Sequence, residues 1–308
     1  MGKIAGKCGW AKLWSNRIMA LVCEDLARHG VVLVPPSTVE YFELLADIEC
    51  RLQTRPEGAP PIAEDAISRI AEHDTSGSAI LLNRADVAIA SIAYIWSHTG
   101  TFLPGTNPSV LLPFGLDDRN RKVQSYWNTI FPGSKRLMTC DGSLFGDNTD
   151  VRSPTADELS RECWRVGVGT RCDRPKPGKL TLDGVFLVDG GFAGPNLLLV
   201  WEQTVAAAEA YLTCAALAKK ARGQGASAAE FFAQVQAFTG QTDEGRMPIW
   251  APPRVLGSGR PDPEPIRKYE RQKAGRSALH MRKSLGDEAA LARIEAWADA
   301  PVPRFHRL

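Results

Sequence analysis

The stretch from Gly178 to Lys220 constrains this chain more than any other. It opens with GKLTLDGVFLVDGG, where Leu180, Leu182, Val185 and Leu187 alternate with small or polar residues, as a half-buried strand does. Gly190, Gly191, Gly194 and Pro195 supply turn chemistry, since glycine tolerates positive φ and proline fixes φ. Leu197–Trp201 is a short apolar run of the kind a buried strand shows, and it ends on Glu202. An alanine-rich, helix-favouring segment follows from Val205 to Arg222. The expectation is a hairpin and then a helix, with Asp183 on the first strand and Glu202 at the end of the second. Carboxylates on neighbouring strands can converge on one point, which is what a hard divalent cation such as Mg²⁺ requires.

Upstream, TADELSRECWRV reads as a helix with Thr155 as N-cap and Glu158 completing a capping box; Glu162 lies one turn on. A helix with a glutamate, a strand with an aspartate, a second strand with an acid and then another helix resembles the core of the PD-(D/E)xK nuclease superfamily. The likeness covers Thr155 to Lys220 and departs from the family at the lysine of the motif, where this chain has Thr204. It implies an α/β (α+β) fold with a mixed central sheet flanked by helices. It also implies a restriction-enzyme-like, Mg²⁺-dependent endonuclease that cuts double-stranded DNA as a homodimer. Asp183, Glu202 and Glu162 would hold the metal, and Asp183 and Glu202 would be catalytic. Lys179 stands four residues before Asp183 on the same strand face, and so offers itself as the substitute lysine; Lys219 and Lys220 are the other candidates. A structural reading of the same residues stays open. Asp183-Gly184 would then be only a turn, and Glu202 would sit at a helix N-terminus, where its charge meets the macrodipole. Asp189, beside Gly190-Gly191, reads as a turn residue.

Composition narrows the class without choosing a partner. At 308 residues with 44% hydrophobic and 23% charged residues, the chain can bury a sizeable core in one large domain or two ordinary ones. A net charge of +2 leaves any nucleic-acid contact to local patches. Seven scattered cysteines form no C-x-x-C and no zinc spacing, which fits reduced thiols in a cytoplasmic protein. The apolar run Val87–Trp96 is far shorter than the ~20 residues a membrane-spanning helix needs, so no membrane association is expected. The segment Val166–Gly178 carries neither a complete P-loop nor a dinucleotide fingerprint, and neither G-x-S-x-G nor H-E-x-x-H occurs.

Taken in order, residues 1–100 read as a mainly helical N-terminal region. Helical spacing runs through residues 9–30, again after a cap at Ser37 or Thr38, over Ile62–Ile70 and over Asp86–Trp96. Residues 101–308 read as the mixed core with a basic C-terminal segment. Two basic stretches suit phosphate contact. In the first, Arg119, Arg121, Lys122, Lys135 and Arg136 surround Tyr126 and Trp127, a mixture that suits phosphate contact with base stacking. The second, from Ile266 to Lys283, carries Arg267, Lys268, Arg271, Lys273, Arg276, Arg282 and Lys283 against the single acid Glu270. Ser227 is expected to cap a helix through SAAEFFAQVQAFTG, and a last helix is expected over Asp287–Ala298. These patches support a second function class, a non-catalytic DNA-binding or assembly protein of the kind phage and plasmids encode.

Overall fold

A computed structural model describes residues 24–36, 38–53, 79–98, 101–106, 112, 114, 129–138, 144–145, 179–196, 199–240 and 263–308. The fold is α+β. It divides into two compact units: Met1–Val110, Asp118–Pro195 and Phe305–Leu308 form the first, and Leu111–Asp117 with Asn196–Arg304 form the second.

The first unit holds β1 (Val31–Val34), α1 (Val39–Gln53), β2 (Ala79–Asn83), β3 (Ile89–His98), β4 (Thr101–Thr106), β5 (Lys135–Met138), β6 (Leu144–Phe145), β7 (Lys179–Leu187), β8 (Gly191–Ala193) and β9 (His306–Arg307). One sheet runs β1-β2-β5-β6 and is antiparallel throughout. The other runs β4-β3-β7-β8-β9 and is mixed, because β9 adds in parallel to β8. Each face of the first sheet has its own apolar layer. Val34, Ile80, Leu82 and Leu137 cluster with Tyr41 and Ile48 of α1. Val31, Ala79, Leu81 and Met138 cluster instead with Ile89, Ile92, Leu182, Val185 and Leu187 of the second sheet. The unit is thus three layers, helix on sheet on sheet. Asn83, buried, ties the layers at one corner. Its Nδ2 donates to the carbonyls of Val87 (3.0 Å) and Ile130 (2.8 Å), and its Oδ1 accepts from the Ala85 amide.

Two register slips shape the second sheet. Between β3 and β7 the pairing jumps from Ile89↔Leu187 to Ser91↔Phe186, and from Ala93↔Gly184 to Tyr94↔Leu182. Ala90 on one strand and Asp183 on the other are therefore extra residues, each forming a bulge. A bulge shifts the alternation by one, so residues three apart face the same way. That is why Ile89 and Ile92, and likewise Leu182 and Val185, share one core.

The second unit is helical: α2 (Val200–Gly223), α3 (Ala228–Thr239), α4 (Glu264–Leu285), α5 (Asp287–Glu295) and a 3₁₀ turn (Ala296–Asp299). Its core sets small residues against aromatics. Ala210, Cys214, Ala215, Ala218 and Ala221 of α2 meet Phe231, Phe232 and Val235 of α3, Ala274, Ala278 and Leu279 of α4, and Leu291, Ile294 and Trp297 beyond. Burial pushes the Cys214 thiol up to about 12, so it stays protonated and packs as a small apolar group. Phe114 stacks on Tyr211 with ring centroids 4.8 Å apart.

Several expectations are corrected. Asp86–Trp96 is not a helix; Ile89–His98 is a strand, buried on both faces over residues 89–93 and partly buried at Tyr94. The strand expected over Leu197–Trp201 does not form at Val200 and Trp201, which already belong to α2. A boundary at residue 100 does not hold, since β3 and β4 pair across it as a hairpin, with His98 opposite Thr101. Among its described residues the N-terminal region supplies β1, β2 and β3 beside α1, and is not mainly helical there. Ile62–Ile70 lies outside the described residues. The expected helices at Val39, Val205, Ser227 and Ile266 do form, and Asp287–Ala298 begins as α5 and finishes as the 3₁₀ turn.

Candidate functional site

The two acids of the expected metal pair arise from different kinds of element. Asp183 is the bulged residue of β7, 0% exposed, and stands mid-strand, not in a turn. Its neighbourhood is tight. A Cβ on Gly184 would come 2.3 Å from Cζ of Phe192, and one on Gly194 would come 2.7 Å from the Asp183 carbonyl oxygen. Gly194, at φ +125, lets β8 approach this bulge where a residue with a side chain would not.

Glu202 lies in the first turn of α2, within the other compact unit. Asn196 (φ 58) and Leu199 (φ 57) both take the left-handed conformation to start that helix. The Asn196 side chain then serves both its ends. Its Oδ1 accepts from the Trp201 amide at 2.9 Å, and its Nδ2 donates to Glu202 Oε2 at 2.6 Å. Glu202 thus occupies the site where a negative charge meets the positive end of a helix, as the structural reading had it. Because the segment is helical, Gln203 and Thr204 do not alternate about Glu202 as they would on a strand. Gln203 donates to Glu270, and Thr204 is buried.

Lys179 opens β7, with its backbone paired to Ser97. Glu162, Arg119, Arg121 and Lys122 lie outside the described residues. Among the described residues no three His, Cys, Asp or Glu side chains gather to hold a metal. An Mg²⁺ pair on adjoining strands does not fit what these elements provide. Asp189 behaves as read, its Oδ1 accepting from the Gly191 amide at 2.9 Å across the β7–β8 turn.

The basic residues sort themselves by partner. From the first stretch, Lys135 is in β5 and ion-paired with Asp47, and Arg136 is buried in the same strand, so neither joins a surface patch. The second stretch is α4. Glu264 pairs with Arg271 and lies 3.9 Å from Arg267; Lys273 is 3.7 Å from Glu270; Arg282 grips Asp287 through two bonds of 2.9 and 3.1 Å. Three of the four cations expected to bind nucleic acid here, Arg267, Arg271 and Lys273, thus have acidic neighbours. Lys268 is exposed and makes no ion pair with a described residue, and the same is true of Arg276 and Lys283. Lys268, Gln272, Arg276 and His280 follow one another at four-residue steps, a single ridge of the helix, with Lys283 beside its end.

The opposite ridge of α4 reads Ile266, Glu270, Ala274, Ala278, and all four are buried. Glu270 Oε1 accepts from Gln203 Nε2 at 3.0 Å, while Oε2 has no hydrogen-bond partner among the described residues. Burial raises Glu270 above the ordinary carboxylate range; Lys273 and the Gln203 bond oppose this and are weaker. The sequence singled out Glu270 only as the lone acid of the basic stretch and not as a buried one, although its four-residue step from Ile266 to Ala274 marks it as a core position.

Comparison of the chain with protein-family models, curated proteins and solved structures finds no match.

Proposed function

We propose that the chain is a non-catalytic DNA-binding protein that engages the phosphate backbone through the outer ridge of α4. The carrying observation is the split among the α4 cations: Lys268, Arg276 and Lys283 stay exposed and unpaired among described residues, while Arg267, Arg271, Lys273 and Arg282 have acidic neighbours. Unneutralised cations along one helix face release the counterions of a polyanion when they meet it. At a rise of 1.5 Å per residue, Lys268 and Arg276 lie about 12 Å apart along the axis, and Arg276 and Lys283 about 10 Å. That spacing spans several phosphates. The ridge offers one amide, Gln272, for reading base edges, so contact is to backbone and largely independent of sequence. A cytoplasmic setting goes with this reading. Among the described residues no helix is long and apolar enough to cross a membrane.

The Mg²⁺-dependent endonuclease, with its homodimer, is the second reading. A bulged, wholly buried aspartate on a central strand is the observation in its favour, since bulges recur beside active sites.

One experiment addresses both. Purified protein is mixed with plasmid and with a short mixed-sequence duplex, in Mg²⁺ or EDTA. The expected result is retention without cutting. Lys268→Gln, Arg276→Gln and Lys283→Gln should each weaken retention on every sequence alike and lower the salt slope by about 0.9. Cleavage that needs Mg²⁺ and is lost in Asp183→Asn would overturn the binding reading in favour of the nuclease. No retention under any condition discards both.

A further inference from the structure

We propose that Glu270 is a proton-controlled hold on Lys273, and so sets how many cations α4 presents to phosphate. This deepens, and rests on, the DNA-binding reading.

The geometry is that of an incompletely satisfied buried acid beside a movable base. The Glu270 side chain is 0% exposed, and only Oε1 is hydrogen-bonded within the described residues. A buried carboxylate with one oxygen unpaired draws on the nearest positive charge. That charge is Lys273, one turn on, at 3.7 Å from Oε2. The distance is too long for a hydrogen bond and short enough for strong Coulomb attraction. The Lys273 side chain is 44% exposed, so its ammonium sits at the rim of the contact, between the buried acid and water. Lysine is a compact charge on a flexible four-carbon stem, able to turn outward without moving the helix.

Few other groups compete for this role. Tyr269 on α4 and Tyr211 on α2 also feel Glu270, and Gln203 on α2 bonds it. Both phenols are pushed above the usual tyrosine range, chiefly by burial, so they remain neutral. Lys273 is then the cation that answers the charge on Glu270 among the described residues. With Glu270 ionised, Lys273 is drawn toward the α2–α4 contact. With Glu270 protonated the attraction disappears and Lys273 joins the cations available to DNA. Reciprocity follows: DNA that draws Lys273 outward raises the affinity of Glu270 for its proton.

The test is fluorescence anisotropy of a labelled mixed-sequence duplex, titrated with salt at two pH values, one just above the ordinary glutamate value of about 4.3 and one well above it. The proteins are the unmodified chain, Glu270→Gln and Lys273→Gln. The unmodified chain should show a salt slope steeper by about 0.9 at the lower pH, the signature of one added phosphate contact. Glu270→Gln should hold the steeper slope at both pH values, and Lys273→Gln the shallower one. Comparing variants cancels every other ionisable group on the ridge. An identical pH response in all three proteins overturns the hold while leaving DNA binding intact. Absence of binding in all three removes the DNA-binding reading and the hold with it. Circular dichroism confirms folding. If Glu270→Gln does not fold, Lys273→Gln decides alone, since a pH response that survives without Lys273 overturns the hold.

Discussion

The two units solve close packing differently. In the sheet unit one close approach is between backbones: the chain at the end of β8 passes over the β7 bulge, where Gly194 faces Gly184 and the Asp183 carbonyl. In the helical unit the tightest approach sets backbone against side chain, with Gly275 of α4 beneath Thr239 of α3. A backbone obstacle is fixed by the hydrogen-bonded ladder on either side of it. A side-chain obstacle at a helix end can yield when two helices move apart slightly. The same Gly→Ala change therefore probes two kinds of rigidity.

Gly194→Ala should have the largest effect. The new Cβ would meet Gly184 Cα at 2.6 Å and the Asp183 carbonyl oxygen at 2.7 Å, in a residue held at φ +125. Left-side backbone strain and overpacking each cost about 1–3 kcal/mol, and here they act together, giving a loss of about 3–5 kcal/mol in urea unfolding. Gly275→Ala should cost less. Its Cβ would lie 2.3 Å from Thr239 Oγ1, so the helices must part, but α4 gains about 1 kcal/mol of helix propensity. The net loss should be about 1–2 kcal/mol. Equal losses for the two variants would break the distinction between the units.

Glu270 sharpens the comparison through pH. Its folded-state pKa is raised by burial, so the folded chain keeps this proton at a pH where the unfolded chain, at about 4.3, has lost it. Stability from this site is present at low pH and is lost as pH rises through the raised folded value. The urea midpoint of Glu270→Gln should lack that decline, and the midpoints of the two proteins should diverge as pH increases. Parallel curves would show that the buried acid is not protonated on folding.

The helical unit was the more legible of the two, and the reason is physical. Its signals are local. Alanine runs favour helix, Ser227 with Glu230 announces a cap, and the apolar steps Phe231, Phe232, Val235 recur at helical spacing. The sheet unit conceals its pattern at the bulges. Ile89, Ile92, Ala93 and Trp96 stand at steps of three, four and seven, which is the template of a helix. Two causes combine to produce it. The strand is buried on both faces over residues 89–93, so alternation is absent there, and the extra Ala90 places Ile89 and Ile92 on one side. Leu197–Trp201 failed in the opposite direction. An apolar run of five reads as a strand, but Asn196 supplies the capping contacts that start a helix inside it. Of the site, the cations of α4 could be read from the sequence. Which of them are neutralised could not, because Glu264 and Asp287 lie just beyond the basic run and find their partners only when the helix forms.

The smallest effects expected compare the caps of the two units. Thr38 Oγ1 accepts from the Tyr41 amide at 3.2 Å at the start of α1 and donates to the Pro35 carbonyl at 3.0 Å, with no carboxylate involved. Ser227 makes a reciprocal pair: its Oγ accepts from the Glu230 amide at 3.3 Å, and Glu230 Oε2 accepts from the Ser227 amide at 2.7 Å. The Ser227 amide and the Ser227 hydroxyl, which donates to the same Oε2 at 2.9 Å, hold the Glu230 carboxyl below the usual range, so the box is formed by the ionised acid. Ser227→Ala removes both bonds of the hydroxyl and leaves only the one from the Ser227 amide; the expected cost is about 1 kcal/mol, against about 0.5 kcal/mol for Thr38→Ala. The pH dependence should differ as well. A carboxyl whose folded pKa is depressed contributes stability above its unfolded value and loses it as pH falls through the folded one. The Ser227→Ala deficit should therefore shrink in acid while the Thr38→Ala deficit stays constant. Urea midpoints measured at neutral and acidic pH separate the two, and a constant deficit for both would mean that the carboxylate half of the box adds nothing to the hydroxyl half.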